Sequence, residues 1–599
     1  MIEIIVNNTT RLQLPSKVKI NIVQKNPLFL EDRIPSPYSL SFEVPVTAGN
    51  LAAMGQPARI TSSSIKARQP GKIMHNGMVI GAGEILLLEV NKVLKLQFKG
   101  SPLNGNFNKN LNQITNDEYD YGTMTYHGED INYSDTSFDA YVQNLRSEAN
   151  NASHFVLAPV KLADTEWNGT SSYLGAKNGL INYLNFWNVA TASWFTGDVH
   201  YMHMPVVPFP YLKDTIAKAF GSNLESNPFA SGDLAKLVTI SANHPHLNLN
   251  SLYDWYLTGP NLETKQEVFW PLLDSYVSSN YLIPLKFNIM NFMQAYAFNE
   301  FLKEILKMFS MSAFPGIQYR IEKNNDIFDR SVVVNWSDKL AGKPIIKTRD
   351  AKDYNFKFRN AGEKASDPVR TKPNIDAIYD SALEQGSEEV EYSDAVSGAI
   401  IGITKELFGD ASEPRLTQDT KQSALSATIE DTGLDKYEVN CEVEPLPMSI
   451  EQYWSDNENP GNVISHKHWH VPVIEKPGLN DAPNIMIWGG MANTFEGDGT
   501  YPLLMNHHTD HFGTKRGSLS LLPDGPDGLI STFHSGMKSW IECEKKSVKG
   551  SFRLSPLEIR NIDMRDKIYL HGRLFYIEKI EYSLTHNDVS LVEADLIEC

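Results

Sequence analysis

Near each end of this chain a run of alternating apolar and polar residues doubles back through a two-residue turn, which commits both ends to antiparallel β-structure. In the first, Lys72-Ile-Met-His leads into Asn76-Gly77 and out through Met78-Val-Ile. Asn-Gly readily takes the two positive φ angles that a tight hairpin turn requires. A second hairpin follows: Glu84-Ile-Leu-Leu-Leu-Glu-Val, a turn at Asn91-Lys92, then Val93-Leu-Lys-Leu-Gln-Phe. Period-two alternation puts Leu94, Leu96 and Phe98 on one face. Earlier strands are predicted from Val18, Ile20 and Ile22, and from Leu40, Phe42 and Val44. At the far end Lys567-Ile-Tyr-Leu-His-Gly-Arg-Leu-Phe-Tyr-Ile-Glu-Lys-Ile repeats the plan. At a constant offset Lys72 meets Lys567, Ile73 meets Ile568, Gly77 meets Gly572 and Ile85 meets Ile580. Each hairpin leads to a further strand, Val93–Phe98 and Val589–Leu596. Two explanations stand: hairpins resemble one another in general, or the polypeptide carries two related β-domains.

A chain of 599 residues exceeds one core, and roughly 100–200 residues per domain implies three to five domains. Hydrophobic residues at 41% and charged residues at 21% are ordinary globular values, so most of the chain is expected to fold. The opening Met1-Ile-Glu-Ile-Ile-Val reads as a first strand and not as a secretion signal, and no apolar run reaches membrane-span length. Three cysteines, Cys441, Cys543 and Cys599, make neither a disulfide framework nor a C-x-x-C metal pair. A formal charge of −18 opposes a role in gripping nucleic acid, which Lys and Arg carry. It suits surface solubility, or an acidic wall along which DNA slides without sticking.

Between the ends, residues 101–200 are rich in Asn, Gly, Tyr and Ser and predict an irregular β insertion. Two amphipathic helices follow. Leu212, Ile216, Ala219 and Phe220 form one apolar stripe that stops at Gly221; Phe298, Phe301, Leu302, Ile305, Leu306 and Phe309 form the other. Each is followed by a β run, Leu237–Ile240 and Ser331–Trp336. From about 376 to 436 acidic and loop-like stretches flank the apolar patch Ala399-Ile-Ile-Gly-Ile, which reads as an excursion with one hairpin.

The sequence carries few motifs of chemistry. There is no G-x-S-x-G elbow, H-E-x-x-H helix, P-loop or dinucleotide fingerprint. Asp456-Asn-Glu-Asn-Pro-Gly461 begins like a calcium loop, but Pro460 and Lys467 stand where ligands belong. Seven histidines gather at 466–534: His466, His468, His470, His507, His508, His511 and His534. The first three alternate, so on a strand they share a face. That row is the one metal candidate; no Asp, Glu or Cys at ligand spacing joins it, and the expectation is no metal and no cofactor. Aromatic side chains in loops, among them Tyr201, Phe209, Trp469, Trp488 and Trp540, suit either a core or subunit contacts.

Several stretches carry a resemblance. They are Gly528-Leu-Ile-Ser-Thr-Phe-His-Ser-Gly-Met-Lys-Ser-Trp, then Val548-Lys-Gly-Ser-Phe-Arg-Leu-Ser-Pro-Leu-Glu-Ile-Arg-Asn-Ile-Asp, then the hairpin at Lys567–Ile580. Near the start Lys25-Asn-Pro-Leu-Phe and Tyr38-Ser-Leu-Ser-Phe-Glu-Val-Pro-Val-Thr, with Asn50 three residues on, complete the set. Together they resemble phage and prophage tail proteins similar to the baseplate hub and late control protein D family. The resemblance covers both ends and part of the centre. It implies a mainly β protein with α+β inserts, whose two tube-like antiparallel β-barrels per subunit form a ring-like oligomer. The expected divisions are 1–100 for the first barrel, 101–200 for the loop-rich insertion and 201–345 for an α+β middle domain. They continue as 346–437 for the excursion, 438–544 for a β-rich, His-containing domain and 545–599 for the strands of the second barrel.

On that resemblance the expected role is structural and not enzymatic. The chain would be a virion protein of the tail tip, assembled in the host cytoplasm, that continues and closes the tail tube. Expected partners are itself as a homotrimer, the tail tube protein, the tape measure protein and distal baseplate, spike or fibre proteins. DNA would pass through without specific binding. The ring-contact candidates are His75, Asn76, Gly77, Leu94, Leu96, Phe98, Phe575 and Ile577. The alternatives are a hub with cell-wall hydrolase activity and a carbohydrate-binding adhesin or distal-tail adaptor ring.

Overall fold

A computed structural model of the chain describes residues 1–126, 154–162, 183–194, 207–240, 281–359, 389–453 and 467–599, with short breaks inside those spans. The structure is mostly β, in several sheets, and none of these closes into a barrel by strand pairing. The largest sheet has 14 strands, drawn from both ends of the polypeptide. The N-terminal end supplies β1 (Ile2–Val6), β2 (Thr10–Arg11), β3 (Ile20–Lys25), β4 (Tyr38–Ser39), β5 (Phe42–Pro45), β6 (Arg68–His75), β7 (Met78–Val90) and β8 (Val93–Gly100), with helix α1 (Ala48–Ala53) between β5 and β6. Later residues supply β9 (Val333–Asn335), β10 (Ile345–Arg349), β11 (Lys545–Phe552), β12 (Lys567–Leu570), β13 (Arg573–Leu584) and β14 (Val592–Glu598), with α2 (Pro556–Arg560) between β11 and β12.

The predicted turn at Asn76-Gly77 is present, with φ angles of 50° and 76°. Beyond it, the two strands expected at Met78–Ile80 and Glu84–Val90 are one strand, β7. Its glycines hide that continuity from the sequence and serve close packing: a Cβ on Gly83 would lie 2.1 Å from the Lys99 carbonyl oxygen of β8. At the other end His571-Gly572 makes the same kind of turn, with φ angles of 48° and 93°.

The two ends share more than a hairpin. In chain order β5-α1-β6-β7-β8 is matched by β11-α2-β12-β13-β14. The pairings agree strand for strand and are all antiparallel: β5 with β8 and β11 with β14, β6 with β7 and β12 with β13, β7 with β8 and β13 with β14. Both helices begin at a hydroxyl cap, Thr47 accepting from the Asn50 N–H and Ser555 from the Glu558 N–H. Flanking strands agree too: β1 lies beside β6 and β9 beside β12, while β10 lies beside β11 and β3 beside β4, which shares the edge of β8 with β5. One difference is direction, since β1 runs antiparallel to β6 and β9 parallel to β12. The chain therefore contains the same lobe twice.

Each lobe is a rolled sheet. Five strand steps separate β9 from β10, which in a flat sheet would be roughly 24 Å. Yet the Trp336 N–H donates to the Tyr569 carbonyl beside β12, and the Lys339 carbonyl accepts from the Arg553 N–H beside β11, with only a Trp336–Lys339 turn between them. A hydrogen-bonded turn spans under about 7 Å, so the margins must curl together. In the N-terminal lobe the Asn50 side chain accepts from the Gln13 N–H at 2.8 Å and donates to the carbonyls of Gln13 and Pro45 at 2.9 Å. Gln13 follows β2 and Pro45 ends β5, at opposite margins of the roll. A turn in one lobe and a side chain in the other replace the ladder that would close the expected barrels. The inward faces are packed: Ile4, Ile73, Ile85, Leu96 and Phe98 in one lobe and Phe552, Ile568, Ile577, Ala594 and Leu596 in the other are all buried.

The lobes join along β3 and β13, paired from Ile20 with Leu584 to Lys25 with Lys579. Asn26 secures the joint. Its buried amide donates to the carbonyls of Met564 and Ile577, both at 2.7 Å, and its Oδ1 accepts from the Leu28 N–H at 3.0 Å. Buried amides need such partners.

Both predicted helices are present. Leu212–Phe220 ends at Gly221 with φ of 56°, and Phe298–Met308 runs straight into a strand, Met311–Phe314, that the sequence did not signal. The β run placed after the second helix, Ser331–Trp336, contains β9 and belongs to the C-terminal lobe. Phe107, Phe220 and Phe298 meet edge to face with centroids 5.6–6.1 Å apart. Arg330 bonds Asp566 at 2.8 Å, and Arg565 bridges Asp563 and Glu322, tying this body to the C-terminal lobe. In the excursion, Glu389–Ser393, Ile400–Glu406 and Arg415–Lys421 make a three-stranded antiparallel sheet where one hairpin was expected. Most of the predicted insertion at 101–200 lies outside the described residues.

Candidate assembly interface

Of the eight ring-contact candidates, six have side chains in this chain's own core: His75, Leu94, Leu96, Phe98, Phe575 and Ile577 are at most 3% exposed. Alternation located an apolar face correctly, but that face lines the roll. Only Asn76 and Gly77, at the turn tip, are exposed. His75 acts within the chain, where its Nε2–H donates to the Thr585 carbonyl at 3.1 Å, at the end of β13. Because β6 and β13 lie five steps apart in the sheet, this bond also requires the N-terminal sheet to roll onto the seam.

The surface open to another molecule lies at strand edges that periodicity could not single out. All five residues of β10 are exposed, and Ile345 and Ile346, at 58% and 61%, are the most exposed large apolar side chains after Met1 among the described residues. Val332, Val333 and Val334 by β9 are exposed at 40–46%, and Leu88 near the end of β7 at 51%. Apolar edge strands left in water are templates for further pairing. The signal available in the sequence was the run Pro344-Ile-Ile-Lys, two apolar residues among lysines, which carries no period.

The histidine row is divided. His466 lies outside the described residues, as does the side chain of His468, while His470 is buried on the strand Lys467–Ile474, its N–H donating to the Tyr501 hydroxyl at 3.0 Å. No group of three metal-ligating side chains gathers among the described residues. The rings of His507 and His508 lie tilted by 36° with centroids 4.0 Å apart, and His508 Nε2 is 3.6 Å from Asp527. His534 is buried. It donates from Nε2 to the Met308 carbonyl at 2.9 Å and accepts at Nδ1 from the Tyr354 hydroxyl at 2.6 Å, which fixes a neutral tautomer. Burial pulls its pKa down to about 4 against a weaker upward pull from the Met308 bond.

A cavity of about 570 Å³ beside β11 and β14 is lined by Trp540, Cys543, Lys545, Lys546, Tyr576 and Cys599, among others. Three of its cations are engaged: Lys545 donates to the Trp540 and Cys543 carbonyls, Lys567 to the Phe328 carbonyl, and Arg573 pairs with Glu598. Cys599 is exposed at its surface, yet partial desolvation pushes its thiol up to about 11, away from a reactive thiolate. No helix among the described residues is long and apolar enough to cross a membrane.

No protein-family model matches this chain, and no curated protein does. Among solved structures it is similar to the prophage MuSo2 43 kDa tail protein from Shewanella oneidensis, at 9% identity and a TM-score of 0.31, over 99% of this chain and 97% of that one. It is also similar to the tail protein from Neisseria meningitidis MC58, at 7% identity and a TM-score of 0.29, over 100% of this chain and 96% of that one.

Proposed function

We propose that this chain is a structural protein of a phage-type tail, a hub that continues the tail tube at its distal end. The observation that carries this reading is the duplicated lobe: one polypeptide holds two rolled sheets of the same strand order, side by side through β3 and β13. A subunit with two like lobes lets three copies on a three-fold axis present six near-equivalent lobes. Such a ring can sit under a six-fold tube while the middle body keeps three-fold symmetry toward a spike or fibre. Because both rolls are filled by their own apolar side chains, the DNA passage would run between subunits, along the axis. The net charge of −18 fits a wall that repels the phosphate backbone.

The tail tube and tape measure proteins above and the baseplate and fibre proteins below are the partners this placement calls for, with the assembled virion tail as its location. Catalysis has no part in the reading. Native mass spectrometry and electron microscopy of the purified chain test it. Three copies of 67.3 kDa forming a six-lobed ring around an open axis are expected. A monomer at every concentration, or a ring of six chains, would overturn it.

A further inference from the structure

We propose that β10 is the strand through which one copy of this chain binds the next, laid against the open end of β7 in a second copy; this rests on the hub reading above. The repeat itself supplies the template. β3 and β10 are counterparts: β10 lies beside β11, the first strand of its unit, and β3 beside β4, the short strand that shares the edge of β8 with β5. The outer edge of β3 is covered by β13 of the other lobe. Among the described residues the outer edge of β10 is covered by nothing, although its two isoleucines are more exposed than any large apolar side chain except Met1. The counterpart of β13 is β7, and the one β7 within the molecule already sits in its own lobe. A second copy supplies another.

The matching surface on β7 is its far end. β6 pairs with β7 only as far as Arg68 with Leu86, so Leu87–Val90 have no partner strand on that side among the described residues. Leu88 is 51% exposed there. Charge agrees as well. From Lys339 to Arg349 the chain carries Lys339, Lys343, Lys347 and Arg349 with no acidic residue among them, a basic edge on a chain of net charge −18. The open end of β7 carries Glu89. Lys339 pairs with Glu558 and Arg349 with Glu578; Lys343 and Lys347 are left to meet Glu89. β6 is longer than β12, eight residues against four, so the joint between copies slides toward Leu88 relative to the joint inside one copy.

The experiment uses the full chain with Cys543→Ser and Cys599→Ser, carrying Lys347→Cys and Glu89→Cys together or singly. Mild oxidation should link copies into a reducible ladder ending at three only in the double variant. In parallel, Ile346→Lys should weaken self-association by about tenfold or more with an unchanged melting midpoint, because the side chain is exposed. A three-copy ring whose double variant links no better than the single ones, and whose assembly ignores Ile346→Lys, overturns this joint and leaves the hub reading standing. A wild-type chain that never self-associates overturns both.

Discussion

In the N-terminal lobe the margins of the roll are drawn together by one buried side chain, Asn50, whereas in the C-terminal lobe a turn of main chain from Trp336 to Lys339 does the same work. The interiors, by contrast, match position by position. Phe42, paired with Leu96, and Phe552, paired with Val592, stand at the same place beside corresponding strands, and both are buried. The difference shows what the duplication holds fixed. Strand order and the packed face are common to both copies; the device that closes the roll is particular to each.

The core common to both lobes is where their equivalence is most exposed to test. Phe42→Ala and Phe552→Ala should each cost about 4 kcal/mol in urea unfolding, and a loss below about 1 kcal/mol at one site alone would show that the lobes are not equivalent. Acid offers a test outside both lobes. His534 is neutral in the fold with its pKa lowered to about 4 from 6.5, so the unfolded state binds the extra proton. Its contribution is complete above pH 6.5 and fades as pH falls toward 4, on the order of 3 kcal/mol. Hydrogen exchange between these values should loosen the middle body around Met308 and Tyr354 first, and His534→Gln should flatten that dependence.

Next in size, Asn50→Ala should cost about 2 kcal/mol by leaving the Gln13 N–H and two carbonyls without their partner. Exchange should rise at β2 and β5, with β9 and β10 unaffected. The smallest effect concerns the turns. His571 takes φ of 48°, which asparagine tolerates better, so His571→Asn should add about 0.5 kcal/mol and bring the second turn level with the first. An unchanged midpoint would mean the His571 ring makes a compensating contact.

Much of this was legible in the residues. The Asn-Gly turn, the alternation at 93–98 and the constant offset between the ends mark both hairpins and their kinship. The motifs Lys25-Asn-Pro-Leu-Phe and Tyr38–Asn50 were visible as strings, but the work of their two asparagines was not. Asn26 and Asn50 act on backbone groups brought in from elsewhere, Asn26 across more than 500 residues of chain, and a local pattern holds no trace of such partners. The same limit explains the contact candidates. Period two identifies a face and leaves open whether it turns to a neighbour or into its own roll. The edge at Ile345-Ile346 was missed for the opposite reason: two apolar residues exposed on both faces of a strand have no period to detect.

The seam between β3 and β13 has a consequence for how the molecule is made. Asn21 and Ser583 bond across 562 positions, so during synthesis β3 waits with one edge bare until nearly all of the chain has emerged. Contacts of that separation form late and slowly, and an open strand invites the wrong neighbour in the meantime. The first lobe cannot be finished on the ribosome ahead of the second. Truncated products should therefore be the aggregating species, and a chaperone that shields a single strand edge should raise the yield of full-length protein more than slower translation does.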